Sequence, residues 1–180
     1  MKAAIERLKA EPISSRRLAL EPLDIRHANE MAVVLESRAL HRFTGGGPAT
    51  RAELRARYER LIAGSPDGTV DWLNLVLRLH ETGALAGTVQ ASVSHTTPGL
   101  VAEVAWVVGV PWQRHGFAKE AARALVLWLE GKKVELIVAH IHPDHSASAA
   151  VARDAGLVPT SERHRGETIW RRTASHLTST

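Results

Sequence analysis

The stretch from Val101 to Trp128 restricts the possible folds more than any other part of the chain. It opens as an apolar run, Val101-Ala-Glu-Val-Ala-Trp-Val-Val-Gly-Val110, rich in the β-branched and aromatic residues that suit a buried strand. A short turn, Pro111-Trp112-Gln113-Arg114-His115-Gly116, follows. The pattern then becomes helical, with apolar residues at Ala121, Ala124, Leu125 and Trp128. A strand that feeds directly into an amphipathic helix lays that helix on a sheet, which makes this an α/β chain. It also leaves the first N–H groups of the helix without internal partners, at the positive end of the helix dipole and at the end of a strand. That is where an anionic group is held by main chain alone.

The rest of the chain supplies the sheet. Arg16 to Leu23 reads as a first strand, with Leu18 and Leu20 inward and Pro22 ending it. Asp24 is the expected N-cap of a helix carrying Ile25, Met31, Val34 and Leu35, and three glycines between Thr44 and Pro48 break the chain. Thr50 and Glu53 have capping-box spacing at the head of a second helix, which carries Leu54, Tyr58, Leu61 and Ile62 and ends before Gly64. Trp72 to Leu79 and Ala84 to Val93 read as a hairpin about His80-Glu81-Thr82-Gly83, and Val101 to Val110 as the next strand. The helix from Phe117 is expected to end at Gly131 as its C-cap. Val134 to Ile141 follows as a strand, Ser146 to Ala155 as a helix stopped by Gly156, and Leu157 to Arg171 as a terminal hairpin. The expected order is β-α-α-β-β-β-α-β-α-β-β.

A chain of 180 residues suits one domain, with a core over about 16–172 and a polar tail at 173–180. The absence of cysteine excludes disulfides, thiolate metal sites and cysteine nucleophiles, so any catalysis uses oxygen or nitrogen groups. The first residues lack the apolar run of a signal peptide and no stretch is long enough to span a bilayer, so the expectation is a cytoplasmic protein without a membrane partner. The net charge of +4 suits an anionic partner, but Lys and Arg are dispersed along the chain. A polyanionic cofactor fits that balance as well as nucleic acid does, and no nucleic-acid partner is expected.

Gln113-x-x-Gly116-x-Ala118 decides between them. A single turn glycine before a helix is common, but here the turn lies between a strand and an amphipathic helix, after a three-strand meander. In this setting the residues resemble the pyrophosphate loop of the GNAT acetyltransferases, Gln/Arg-x-x-Gly-x-Gly/Ala. Glu103 to Val108 is similar to the family's splayed central strand, and His142-Pro143-Asp144 to Gly156-Leu157 to its later strand-helix segment. The Arg-Arg-Leu start, the Phe43-Thr44-Gly45-Gly46 region and the His-Pro-Asp-x-x-x-Ser-Ala segment most resemble the branch that contains RimJ/RimL-type acetyltransferases. The implied fold is a GNAT α/β (α+β) fold: a mixed, mostly antiparallel, twisted sheet of about seven strands, helices on both faces and a splayed central strand.

The resemblance implies acetyl-CoA as co-substrate and an amine as acceptor, either a protein N-terminus or a small molecule. The pantetheine arm would run beside Val108 and Val110, and the pyrophosphate would lie against Gln113, Arg114, His115, Gly116, Phe117, Ala118 and Lys119. Backbone N–H near Val108 would hold the oxyanion. Glu103, a carboxylate in an apolar strand, is the first candidate base, with the alternative that it only binds the substrate ammonium. If its face lines the groove, burial raises its basicity. The family's tyrosine acid has no counterpart on the late helix, since the one tyrosine is Tyr58. Ser148 is the candidate donor to the sulfur, and His145, which stands where asparagine is common, is expected with it among the residues that bind the cofactor. Phe43, Trp72 and Glu103, with the stretch from Glu162 to Glu167, are acceptor-side candidates. His140, His142 and His145 lack zinc spacing and read as packing or hydrogen-bonding groups, so no metal is expected. A homodimer is an expectation of the resemblance alone, and a CoA-binding module without turnover is the competing reading.

Overall fold

The computed structural model describes residues 7–43, 45–97 and 99–173. Thr44 and all but Thr173 of the expected polar tail lie outside these residues. Eight strands form one sheet in the order β1-β2-β3-β4-β5-β6-β8-β7. They are β1 Ile13–Ser14, β2 Leu18–Pro22, β3 Val70–Leu79, β4 Leu85–His95, β5 Leu100–Val108, β6 Val134–Ile141, β7 Val158–His164 and β8 Glu167–Thr173. Every neighbouring pair is antiparallel except β5 with β6. The helices are α1 Ala28–Val34, α2 Arg51–Ala63, α3 Phe117–Gly131 and α4 Ser146–Asp154. The strand count exceeds the expected seven because β1, only two residues long, has no readable periodicity.

Local chemistry accounts for most boundaries. Asp24 accepts from the backbone N–H of Arg26 and caps a 3-10 turn that leads into α1. Thr50 and Glu53 form the capping box of α2, which ends at left-handed Gly64 (φ 85). Two expectations shift. Gly131 is the last residue of α3, and the left-handed residue beyond it is Lys133 (φ 63), whose N–H bonds Glu130 O at 2.9 Å. The strand expected to reach Val110 ends at Val108, because Gly109 N bonds Ala86 O at the head of β4 and beyond that the hairpin offers no partner.

The two sheet faces are covered differently. Leu73, Leu75, Leu77, Val89, Ala91, Val93, Ala102 and Val104 point to one face and pack under Ala121, Ala122, Leu125 and Leu129 of α3 and Val151 and Ala152 of α4. On the other face α1 and α2 cover only one end, where Met31, Val34, Leu54 and Tyr58 close on Val76 and Leu85. The middle of that face is open: Gln90, Glu103 and Ala105 are exposed.

Candidate active site

The parallel pair β5–β6 stops early. Its register runs from Leu100↔Val134 to Glu103↔Val138, yet β5 continues to Val108 and β6 to Ile141. The two strands therefore splay after Glu103, as the resemblance implied. The bond from Gly109 N to Ala86 O fixes which groups enter the gap. Alternation in an antiparallel ladder assigns residues 103, 105, 107 and 109 to β4, so the amides of Val104, Trp106 and Val108 point away from it, towards the opening. The Val108 carbonyl already accepts from Gln113 Nε2 at 3.0 Å. Val110 lies outside the strand, in a 3-10 turn where its carbonyl accepts from Gln113 N, so its expected strand-like pairing with the pantetheine arm has no strand to rest on.

Beyond the turn the backbone bends through two left-handed residues, Arg114 (φ 64) and Gly116 (φ 81). Gly116 is thus needed for its conformation, while a Cβ there would meet only the end of the Arg17 side chain, at 3.4 Å. Glu120 N makes the first bond of α3, 3.1 Å to Gly116 O, and no side chain caps the helix. The N–H groups of Phe117, Ala118 and Lys119 are left without helical partners, as an anion site requires.

A brace invisible to sequence periodicity holds this turn. Arg17 donates to His115 O at 2.9 Å and to Glu120 Oε2 at 2.7 Å, and its guanidinium lies 4.7 Å from the centre of the Phe117 ring. Glu120 also accepts from Arg17 N and from the Ser15 hydroxyl. Its partial burial would raise the carboxyl, but these hydrogen bonds prevail and hold it below the usual range. Beside the brace is an open cleft of roughly 450 Å³ lined by Arg16, Arg17, Gly116, Lys119, Glu120, Arg123 and Asp154. Four cations against two carboxylates leave it positive. Arg17 and Arg123 are paired with Glu120 and Asp154, whereas Arg16 and Lys119 make no ion pair or side-chain hydrogen bond among the described residues.

On the open face, register places Trp72, Ser92, Glu103, Val138 and Arg171 in one row across five strands. Trp72 is half-buried, belongs to neither core cluster and lies two strands, about 10 Å, from Glu103. Glu103 is not buried; its side chain is 59% exposed, 3.7 Å from His140 Nδ1. The burial expected of it is missing. Glu162, from the stretch expected near the acceptor, grips Arg171 through two bonds of 2.8 and 2.7 Å.

Ser148 is half-buried in the first turn of α4, the helix that follows β6, and His145 is the residue before that helix. Phe43 stacks on His145, ring centres 4.2 Å apart, and tilts against His142 at 5.2 Å. The loop after α1 thus reaches across to α4. Burial, reinforced by His142, lowers the basicity of His145. Tyr58 packs in the α1–α2 layer at 3% exposure, with its phenol pushed up to about 12 by burial, and so offers no acid to the splay. Among the described residues no group of His, Cys, Asp or Glu converges to hold a metal, and no helix is long and apolar enough to cross a membrane.

The splayed parallel pair thus lies beside a bare helix N-terminus suited to an anion, the arrangement that the resemblance implied. The family model "Acetyltransferase (GNAT) domain" matches residues 17–158, and the chain belongs to that family. Its fold is similar to that of a GNAT-family acetyltransferase from Bacillus anthracis, with TM-score 0.74 and 16% identity over 91% of this chain and 99% of that one. It is also similar to RimL, the ribosomal L7/L12 α-N-protein acetyltransferase solved with coenzyme A, at TM-score 0.73 and 18% identity over 91% and 98%. The microcin C7 self-immunity acetyltransferase MccE, solved with acetyl-CoA and AMP, aligns at TM-score 0.72 and 14% identity over 88% and 93%. No curated protein sequence matches the chain.

Proposed function

We propose that this chain is an acetyl-CoA-dependent N-acetyltransferase acting on a primary amine by direct attack in a ternary complex. The observation that carries this reading is the trio of unpartnered N–H groups at Phe117, Ala118 and Lys119, set beside the β5–β6 opening. Acetyl-CoA supplies an electrophilic thioester and two anionic phosphate regions. The α3 N-terminus with Arg114 suits the pyrophosphate, and the cleft of Arg16, Lys119 and Arg123 suits the phosphate on the ribose. The inward amides of Trp106 and Val108 suit the thioester carbonyl as it gains charge. Ser148 is the candidate hydrogen-bond donor to the sulfur. No cysteine exists to carry an acetyl group, which favours direct attack over a thioester intermediate on the protein.

The open face, with Trp72, Phe43 and Glu103, receives the acceptor, and Glu103 attracts its ammonium. The likeness to RimL, an α-N-protein acetyltransferase, makes a protein α-amine the leading acceptor and a small-molecule amine the alternative. The competing reading, CoA binding without turnover, rests on the burial of Tyr58 away from the splay. Thiol release from acetyl-CoA, measured over peptides with different N-termini and a panel of small amines, separates the two. Turnover is expected with at least one acceptor and should fall in Glu103→Gln. A calorimetric titration showing no CoA binding would remove both readings.

A further inference from the structure

His140 sits on β6 two residues past Val138, the last position paired with β5, and so stands on the wall of the opening. Parallel register carries it level with Ala105, one residue short of the inward amide of Trp106. Glu103 is two residues further from that amide. Alternation puts His140 on the same open face as Glu103, and its side chain is 21% exposed. Glu103 Oε1 faces its Nδ1 at 3.7 Å. The His164 ring, from β7, lies 5.2 Å from its ring centre. On the neighbouring strands β7 and β8 the charged groups turned to this face, among the described residues, include Arg171, already held by Glu162, and Glu167, opposite His164 in the terminal hairpin.

From this arrangement, and resting on the acetyltransferase reading above, we infer that His140 is the proton acceptor for the incoming ammonium, with Glu103 as its positioning residue. An exposed carboxylate is a weak base at neutral pH, whereas an imidazole titrates close to it and makes the better-matched general base. Glu103, facing Nδ1, favours the tautomer with the proton on that nitrogen and leaves the lone pair on Nε2; it also stabilises the imidazolium that forms. The step balances without any oxidant or reductant. One ammonium proton passes to Nε2, the nitrogen lone pair forms the C–N bond, and the C–S bond breaks with its electron pair going to sulfur. A second nitrogen proton ends on the thiolate, and His140 returns its proton to water on the His164 side.

The test measures kcat against pH at saturating acceptor, with acetyl-CoA and the best acceptor from a panel of an N-terminal-serine peptide and small primary amines. His140→Gln is expected to lower kcat at pH 7 about 100-fold, within the range removed with a general base. It should flatten the acidic limb and leave KM for acetyl-CoA unchanged. Glu103→Gln, at an exposed site that tolerates substitution, should lower kcat while leaving KM for acetyl-CoA unchanged, as loss of a positioning residue requires; this arm stands even if His140→Gln does not fold. A His140→Gln enzyme within threefold of wild type with its acidic limb intact overturns the inference and leaves the acetyltransferase reading standing, as does an unchanged kcat in Glu103→Gln. No thiol release by wild type with any acceptor overturns the reading beneath it.

Discussion

Gly87 should be the least replaceable glycine in the sheet. It lies on β4 opposite Val108, and a Cβ built there overlaps the carbonyl oxygen of Val107 and sits 2.9 Å from Val108 Cα. Both obstacles are backbone, so no rotamer relieves them. Reaching the 3.4 Å at which ordinary contact begins requires at least 0.5 Å of movement from Val108 Cα, and more from the Val107 oxygen. β4 is held along its length by β3, while β5 has lost β6 after Glu103, so the displacement falls on the end of β5. That end carries the Val108 amide and the carbonyl to which Gln113 is tied. Overpacking of this kind costs about 1–3 kcal/mol, and a domain of this size loses roughly 2–4 °C of Tm per kcal/mol. Because misplacement by about 1 Å can cost on the order of a hundredfold in rate, half that shift predicts roughly a tenfold fall in kcat/KM for acetyl-CoA. Thermal unfolding and thiol-release kinetics of Gly87→Ala check both numbers. Gly131→Ala is the control, helical with no atom within 4 Å of its Cβ. It should gain up to about 1 kcal/mol and leave the kinetics alone. If Gly87→Ala melts with the wild type and keeps its acetyl-CoA parameters, the close approach of β4 and β5 is not what shapes the splay.

Two further outcomes follow from the charges. Arg16→Ala combined with Lys119→Ala removes two exposed cations from the cleft beside Gly116, each contributing about 0.5–1 kcal/mol. KM for acetyl-CoA should therefore rise about 5–30-fold at low salt, with the gap to wild type narrowing as salt is added; an unchanged KM in both conditions rejects that cleft as a phosphate site. His27 is 4% exposed, and burial lowers its basicity despite Glu21 at 3.6 Å. The unfolded chain then takes up the proton first, so stability should decline as pH falls below about 6.5 and level off once the folded imidazole is also protonated. His27→Gln should flatten this part of the stability profile in urea unfolding at a series of pH values, whereas an identical slope in both proteins places the proton uptake elsewhere.

The parts of this molecule that were readable from sequence are those in which a local rule and the tertiary structure agree. Thr50 and Glu53 are three residues apart and form their capping box wherever α2 packs; Gly116 follows a strand and precedes a helix, and its left-handed φ is a local need. The misplaced boundaries were set by a neighbour instead. β5 ends at Val108 because β4 starts at Leu85, a fact held in the hairpin more than twenty residues earlier in the chain, and β1 exists only because β2 offers it an edge.

The same distinction separates the two halves of the proposed active site. The anion-binding half is one continuous stretch, Gln113 to Lys119, and its chemistry is main-chain N–H, which any sequence supplies once the turn and helix are set. Its brace was hidden because Arg17 and Glu120 are 103 residues apart and neither is unusual in its own segment. The acceptor half has no such stretch. Glu103 was noticed as a charge in an apolar strand, but its exposure depends on how little of the sheet α1 and α2 cover, and its neighbour His140 depends on the offset of a parallel pair. Periodicity marks which face a residue occupies and is silent on register between strands. Thus the strand proposed to bind the donor declared itself locally, while the groups proposed to handle the acceptor's proton meet only when β5 and β6 are placed side by side.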